Sequence, residues 1–421
     1  MMDGVAERSG TARAVDRSRH NTVVLVVFTA VTNLADGVLK IALPLLATTL
    51  TSSPGLVAAV SLALTLPWLL TALHVGVLVD RFDRRALLWL ANGMRLLTLA
   101  ALLAAWTSDA LGLPLLLAGS AALGVAEVIA LTSAMALTPS AVGPTWRERA
   151  NAWITGAETV CNEFCGPFVG GMLVAVGSTF ALGATAAGYV LATAVLVLLA
   201  GRFRVVREAR EVSVSARIGE GLRYLWERRL LRLMALVLTV LCSCWGAWLA
   251  LMPLMATTTL GLGPREYGML LSALGAGGLV GALSVTALNR LIGQRRVLFA
   301  DLIGTFAMVI APVVTTELWV LAGGAFLGGM GGTLWAVNAR TIAQHLVEPE
   351  MMGRYSAVAR LFSWGAMPVG AGAVGLLGEL FGMRAALVVF AVAVLITIPP
   401  FLRTMTPGVL ASVEQGAAPD R

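Results

Sequence analysis

Charged residues are scarce in this sequence. Asp, Glu, Lys and Arg make up 13% of its 421 residues, and there are three histidines and four cysteines. The histidines are far apart and the cysteines lie in apolar stretches, so their spacing gives no metal-ligand cluster, phosphate-binding loop or Ser-His-Asp set. These absences argue against an ATP-driven pump and a membrane hydrolase. We expect no enzymatic activity, no organic cofactor and no bound metal.

Apolar residues dominate the chain instead: 58% of the residues are hydrophobic, and the mean hydropathy is +0.85. A helix needs about 20 apolar residues to cross roughly 30 Å of hydrocarbon. Runs of this length predict an all-α integral membrane protein with twelve transmembrane helices, near residues 22–48, 55–79, 86–106, 112–138, 154–175, 180–200, 232–257, 267–288, 296–314, 318–341, 356–378 and 383–402.

The arginines are concentrated in alternate loops, at 81–85, 147–149, 202–232 and 290–296, and in the first 20 residues. By the positive-inside rule this pattern predicts that both termini are cytoplasmic. The first 20 residues lack the apolar core and cleavage site of a signal peptide, so we expect the first span to be retained. The net charge of +7 follows from this orientation. We therefore expect membrane lipids as partners and no nucleic acid.

A long polar stretch divides the chain into two parts of similar length. We predict a tail at 1–20, a six-helix half at 21–200, a linker with an amphipathic helix at 201–231, a second six-helix half at 232–403 and a tail at 404–421. The charged turn at 80–85 has a weak counterpart at 289–296, about half the chain later. Duplicated halves with a site near the middle of the membrane are typical of secondary carriers.

The turn after the second span carries a recognisable motif. GVLVDRFDRRALL, residues 76–88, resembles the pattern G-x-L-A-D-R-x-G-R-R/K of the major facilitator superfamily, with Asp83 where that family usually has glycine. The residues that fit the pattern are Gly76, Asp80, Arg81, Arg84 and Arg85. The resemblance implies that Asp80 engages the start of helix 11, near Arg360, and closes an inner gate. Arg84 and Arg85 could instead serve topology and lipid headgroups.

Two further stretches resemble the drug-proton antiporter branch of that superfamily, which holds macrolide exporters and the enterobactin exporter. These are GPFVGG, with Gly166, Pro167, Gly170 and Gly171, and the segment 333–371. The resemblance implies two pseudo-symmetric six-helix halves in a bacterial plasma membrane and export of a hydrophobic or amphipathic small molecule by proton antiport. We expect a monomer. A facilitator-type importer or uniporter of a small metabolite is the alternative.

One part of the antiporter pattern is missing. Many proton antiporters of the superfamily carry an arginine in helix 4, within R-x-x-Q-G, whereas this chain has small residues and Glu127 there. A proton mechanism that depends on that arginine does not transfer to this chain.

Charges within membrane spans are costly and mark functional sites. Asp36 lies deep in the first span, where a buried carboxyl can hold a proton that a cationic substrate would displace. Lys40 follows by one helical turn, so the two could instead form a structural ion pair. Lys40, the only lysine, could also extend to the outer surface.

Two more acids are candidates for a proton or substrate site. Glu127 lies in the middle of the fourth span without a basic residue within one turn, which predicts that it faces an interior. Glu163 lies on nearly the same face as the glycines of GPFVGG, so helix packing beside Asn162 is the alternative to a role in transport. Asp301, in the ninth span, is expected to pair with nearby arginines.

Overall fold

The structure is a computed structural model. It describes the backbone of residues 2–200, 214–406 and 408–409. Side chains are described for these residues except 2–17, 72, 73, 77, 80, 144, 145, 214–218, 349, 350, 353 and 357. The described residues are almost entirely helical and form two compact units. The first unit comprises residues 1–43 and 70–208, and the second comprises residues 44–69 and 209–421.

The first part of the chain forms seven α-helices and one π-helical segment. Their bounds are α1 Met2–Leu50, α2 Pro54–Arg81, α3 Arg84–Thr107, α4 Leu113–Ala141, α5 Pro144–Glu158, the π-helical segment Thr159–Cys165, α6 Gly166–Val176 and α7 Ser178–Val197. The end of α1 and the first part of α2 belong to the second unit.

The rest of the chain forms eight α-helices. These are α8 Val214–Glu227, α9 Arg229–Thr258, α10 Pro264–Ile292, α11 Gln294–Val314, α12 Leu318–Leu346, α13 Pro349–Ser363, α14 Ala366–Phe381 and α15 Met383–Thr404. The predicted linker lies partly outside the described residues, and α8 is the part of it that is described.

Twelve helical stretches of the described residues are long and apolar enough to span a membrane. The prediction of twelve transmembrane helices is therefore confirmed. The fifth span joins α5, the π-helical segment and α6, and the eleventh runs from Arg354 in α13 to Phe381 in α14. Each of these two spans is thus built from more than one helical segment.

Prolines and glycines explain where several helices begin and end. Proline stands in the first turn of α4, α5, α10 and α13, where its missing N–H costs no hydrogen bond. Single glycines connect α6 to α7, α10 to α11, and α14 to α15: Gly177 with φ 154°, Gly293 with φ 84° and Gly382 with φ 86°. Only glycine adopts these positive angles without strain.

Close helix contacts define the core of the second unit. A Cβ on Gly331 in α12 would lie 2.7 Å from the Cα of Asp301 in α11. A Cβ on Gly281 in α10 would lie 2.7 Å from the carbonyl oxygen of Met330 in α12. Small residues let membrane helices approach to backbone contact. The glycine-rich sequence 323–332 thus includes part of a helix-packing surface.

Candidate functional site

A cluster of charged side chains lies within the first unit, near the middle of its membrane spans. Glu127 is the middle residue of α4, roughly 21 Å from either end at 1.5 Å per residue. Similar positions in the other spans are occupied by Asp36 in α1, Arg95 in α3, Glu163 in the π-helical segment and Tyr189 in α7. The first unit thus brings together the four predicted residues Asp36, Lys40, Glu127 and Glu163.

Asp36 is bound by an arginine and a tyrosine. Arg95 Nη2 lies 2.9 Å from Asp36 Oδ2, and the Tyr189 hydroxyl donates a hydrogen bond to Asp36 Oδ1. The Arg95 side chain is 2% exposed and that of Asp36 is 13% exposed. The Arg95 guanidinium also lies 4.9 Å from the centre of the Tyr189 ring, a cation–π distance. Both carboxylate oxygens of Asp36 are therefore occupied.

Lys40 pairs with a different acid. Lys40 Nζ lies 2.8 Å from Glu163 Oε1. The alternative of an Asp36–Lys40 ion pair is therefore wrong, because each residue has another partner. The extension of Lys40 to the outer surface stays a prediction, since Lys40 and its partner Glu163 are both exposed. The sequence could not reveal this pairing, since it joins residues more than a hundred positions apart.

Glycines bring α1 and the fifth span into contact at this cluster. A Cβ on Gly166 would lie 2.7 Å from the Cα of Gly37. Gly37 lies between Asp36 and Lys40 in α1, and Gly166 opens the GPFVGG motif. Any side chain at either position would push the two helices apart. The motif therefore has a local function: it lets Lys40 reach Glu163.

The π-helical segment places Asn162 and Glu163 toward α1. Gly166 donates its backbone N–H to the carbonyl of Cys161, five residues earlier. π-Helical turns of this kind are rare and occur often at functional sites. Asn162 Nδ2 donates to Asn33 Oδ1 over 2.9 Å, and this pair is buried. Asn162 therefore takes the packing role that was the alternative for Glu163, and Glu163 itself forms an ion pair with Lys40.

Glu127 differs from the other acids of the cluster. It is half-buried and interacts electrostatically with Asp36, Lys40, Arg95 and Glu163. Within the described part of the chain, however, no basic side chain forms an ion pair with it. The prediction that Glu127 faces an interior agrees with this position. Two of the cluster's acids are neutralised by a base, and Glu127 is not.

The charged turn between α2 and α3 holds helix ends together. Asp83 caps α3, its carboxylate accepting hydrogen bonds from the backbone N–H groups of Arg85 and Ala86. Its departure from the family's glycine thus has a structural explanation. Arg84 Nη1 donates to the Ala136 carbonyl over 2.8 Å, near the end of α4.

Arg85 makes a similar contact with another helix end. Its Nη2 donates to the Val197 carbonyl, the last residue of α7, over 3.1 Å. Cations are favourable at helix C-termini because unpaired carbonyls lie there. Arg84 and Arg85 therefore bind backbone carbonyls of the protein. The alternative role in topology and in binding lipid headgroups did not include these contacts.

The rest of the predicted gate stays a prediction. Gly76 is partly buried in α2, and Arg81 is exposed at its end. The side chain of Asp80 lies outside the described part of the structure. Arg360 is exposed in the last turn of α13.

Two residues of the site, Arg95 and Tyr189, are not among the candidates predicted from the sequence. Arg95 was recognisable as a buried cation that needs a partner, but its partner was not. Tyr189 gave no signal, because a tyrosine in an apolar span is usually a packing residue. The expectation that Asp301 pairs with nearby arginines is wrong. Asp301 is 2% exposed, and its carboxylate accepts a hydrogen bond from the Thr305 hydroxyl at 3.2 Å.

Twelve helices that can span a membrane and charged side chains in the middle of several spans are typical of a multi-pass membrane transporter. The chain matches the transmembrane secretion effector family of the major facilitator superfamily over residues 18–415 and belongs to it, so it is a transporter and not an enzyme.

Known relatives agree with this assignment. The multidrug efflux pump Tap of Mycobacterium tuberculosis is 29% identical over 401 residues, covering 90% of this chain and 92% of that protein. Tap of Mycolicibacterium fortuitum is 28% identical over 386 residues, covering 87% of this chain and 92% of that protein.

Solved structures show the same fold. A bacterial homologue of the human lysosomal transporter Spinster has a TM-score of 0.72 at 12% identity, covering 96% of this chain and 99% of that chain. A bacterial homologue of the iron transporter ferroportin has a TM-score of 0.69 at 16% identity, covering 92% of this chain and 98% of that chain.

Proposed function

We propose that this protein exports a hydrophobic or amphipathic small molecule in exchange for protons. Its relatives are named multidrug efflux pumps, which supports a drug-like substrate. Both termini are cytoplasmic in this proposal, and the six-helix halves 21–200 and 232–403 alternate in exposing a site near the middle of the membrane. In this proposal Asp80 closes the cytoplasmic side of the transporter against the start of the eleventh membrane span, near Arg360. The protein works as a monomer.

The observation that carries the proposal is the charge balance of the cluster. Asp36 is neutralised by Arg95, and Glu163 is neutralised by Lys40. When these four residues and Glu127 are all ionised, Glu127 leaves the five groups with one uncompensated negative charge. Either a proton or a cationic group of a substrate can supply the missing positive charge. Because the two compete for one carboxylate, binding of the substrate expels the proton, which is the basis of antiport.

The exposure of the Lys40–Glu163 pair supports a binding surface beside Glu127. The side chains are 41% and 48% exposed, although they lie in membrane spans. Charged groups in spans face a water-filled cavity rather than lipid. Next to them, the group of Asp36, Arg95 and Tyr189, of which Arg95 and Tyr189 are buried, joins α1, α3 and α7. We therefore assign substrate contact to Lys40, Glu163 and Glu127, and a positioning role to Asp36.

Two observations support export rather than import. The relatives that cover most of the chain are named multidrug efflux pumps. The GPFVGG sequence, which resembles the signature of exporters, forms the contact that assembles the cluster.

The proposal is tested with purified protein in liposomes that carry an outward- or inward-directed pH gradient. Ethidium, a lipophilic cation, serves as the probe. In the wild type we expect ethidium to move in the direction opposite to proton flow. Glu127→Gln should reduce the rate of ethidium movement to that of protein-free liposomes. The matched control is Glu148→Gln, which removes an exposed acid of the same unit and should transport normally. Ethidium movement that ignores the pH gradient would contradict proton antiport.

A further inference from the structure

A second buried acid lies in the second unit, away from the cluster of the first. Asp301 is the eighth residue of α11, about 10 Å from the start of the helix. The residue is 2% exposed. Its carboxylate accepts one hydrogen bond, from the Thr305 hydroxyl one turn later in the same helix.

The contacts that Asp301 makes with α12 and α9 bring no positive charge to it. From α12, Gly331 lies against it, and a Cβ there would lie 2.7 Å from Asp301 Oδ1. From α9, the ionisable groups that interact with it are the thiols of Cys242 and Cys244. Among the described residues, no Arg, Lys or His forms an ion pair with Asp301. Among the described residues, Thr305 is the side chain that forms a hydrogen bond with Asp301.

An ionised carboxylate in this environment is strongly unfavourable. One hydroxyl does not replace the hydration of a charge, and a buried charge without a counterion takes up a proton instead. Burial without a counterion therefore favours the neutral carboxyl in the arrangement seen here. Ionisable groups inside membrane spans are rare, and a neutral packing role would be served as well by an apolar side chain.

We propose that Asp301 is a second proton-carrying site, which holds a proton in the arrangement seen here and releases that proton when the transport cycle admits water to the carboxyl. In the release step the O–H bond of the carboxyl breaks, and the proton passes to water. Gly331 makes this possible because α12 covers the carboxyl with backbone alone and leaves no side chain bound to it. The inference rests on the proposed function, since only a proton-coupled transporter uses such a site.

The first test needs no substrate and asks whether Asp301 is protonated. Infrared spectra of the purified protein at neutral pH should show the carbonyl stretch of a protonated carboxylic acid. We expect Asp301→Asn to lose this component and Thr305→Val to shift its frequency, because the hydrogen bond is removed while the acid stays. The control Glu317→Gln, which removes an exposed acid of the same unit, should leave it unchanged. A spectrum that is the same in wild type and both Asp301→Asn and Thr305→Val would overturn the proposal.

The second test asks whether the proton moves with transport. Protons and ethidium are counted together in liposomes, with a pH-sensitive dye enclosed in the vesicles. We expect Asp301→Asn to carry fewer protons per ethidium ion than the wild type, while Glu317→Gln keeps the wild-type ratio. An unchanged ratio in Asp301→Asn would overturn the proposal. A wild type that moves no ethidium contradicts the proposed function instead, and the infrared result then still decides whether Asp301 holds a proton.

Discussion

Arg95 is the residue on which the arrangement around Asp36 depends. Its side chain is almost fully buried, and it is the one basic group within ion-pair distance of Asp36 in the described structure. It also stacks on Tyr189, whose hydroxyl binds the other carboxylate oxygen. Three helices are thus joined through one guanidinium group, and its loss leaves a buried acid without a counterion.

We predict that Arg95→Leu destabilises the protein by about 3–5 kcal/mol, the usual effect of removing one partner of a buried ion pair. Thermal unfolding in detergent measures this change. Adding Asp36→Asn to Arg95→Leu should recover much of the loss, because the unpaired charge is then absent. Arg223→Ala is the control: its ion pair with Glu227 is fully exposed, so the unfolding temperature should not change. Equal effects of Arg95→Leu and Arg223→Ala would contradict the assigned role of Asp36 and Arg95.

The candidate residues could be found from the sequence, but their partners could not. Asp36, Lys40, Glu127 and Glu163 stand out because charge is rare in apolar spans. Which acid meets which base depends on how helices distant in sequence pack, and the one-turn spacing of Asp36 and Lys40 favoured the wrong pair. Asp301 was misassigned for the same reason: nearby arginines in the sequence do not reach its carboxyl.

At the scale of the helices, α1 and α6 meet at a glycine contact that determines the position of Glu163. We predict that Gly166→Ala destabilises the protein by about 1–3 kcal/mol, as overpacking does, and weakens substrate binding, because the Lys40–Glu163 pair is pushed apart. Gly183 in α7 is the matched control, since a Cβ there would meet nothing within 4 Å. Gly183→Ala should be neutral or stabilising by up to about 1 kcal/mol. Thermal unfolding and ethidium binding measure both variants, and similar effects of the two would contradict the role of the contact.

The fold was predictable because long apolar runs leave one solution in a membrane, the helix. What the sequence did not indicate is that two spans are interrupted. In the fifth span Gly166 donates to Cys161, and in the eleventh Gly365 donates to Arg360, each five residues back. Pro167 and Pro368 follow these sites, and proline disturbs the regular hydrogen bonding of a helix. The prolines were visible, but the π-helical geometry depends on the neighbouring helices.

At the scale of the whole molecule, transport requires contacts that form and break in each cycle. One contact within the second unit is suited to this. Glu379 in α14 accepts hydrogen bonds from the Ser53 hydroxyl and from the Gly55 N–H at the start of α2. An acid at a helix N-terminus is electrostatically favourable. Because α2 lies in the first half of the sequence and α14 in the second, the proposed alternation between halves would break this contact.

We predict that linking Ser53→Cys to Glu379→Cys with a short thiol-specific cross-linker stops ethidium transport, and that cleavage of the linker restores it. Wild type treated with the same reagent controls for its four cysteines, and the two single variants control for modification without a link. Normal transport by the cross-linked protein would contradict alternation at this contact.

The most direct test of antiport is the release of protons when a ligand binds to purified protein in weakly buffered detergent solution. A panel of lipophilic cations, macrolides and siderophores would be added to wild type, Asp36→Asn and Glu127→Gln. We predict that the wild type releases protons on binding, that Asp36→Asn still does so, and that Glu127→Gln binds the same ligand with markedly less release. Unchanged release in Glu127→Gln would contradict its role as the proton carrier. Binding without release in the wild type would contradict antiport and favour a uniporter or an importer.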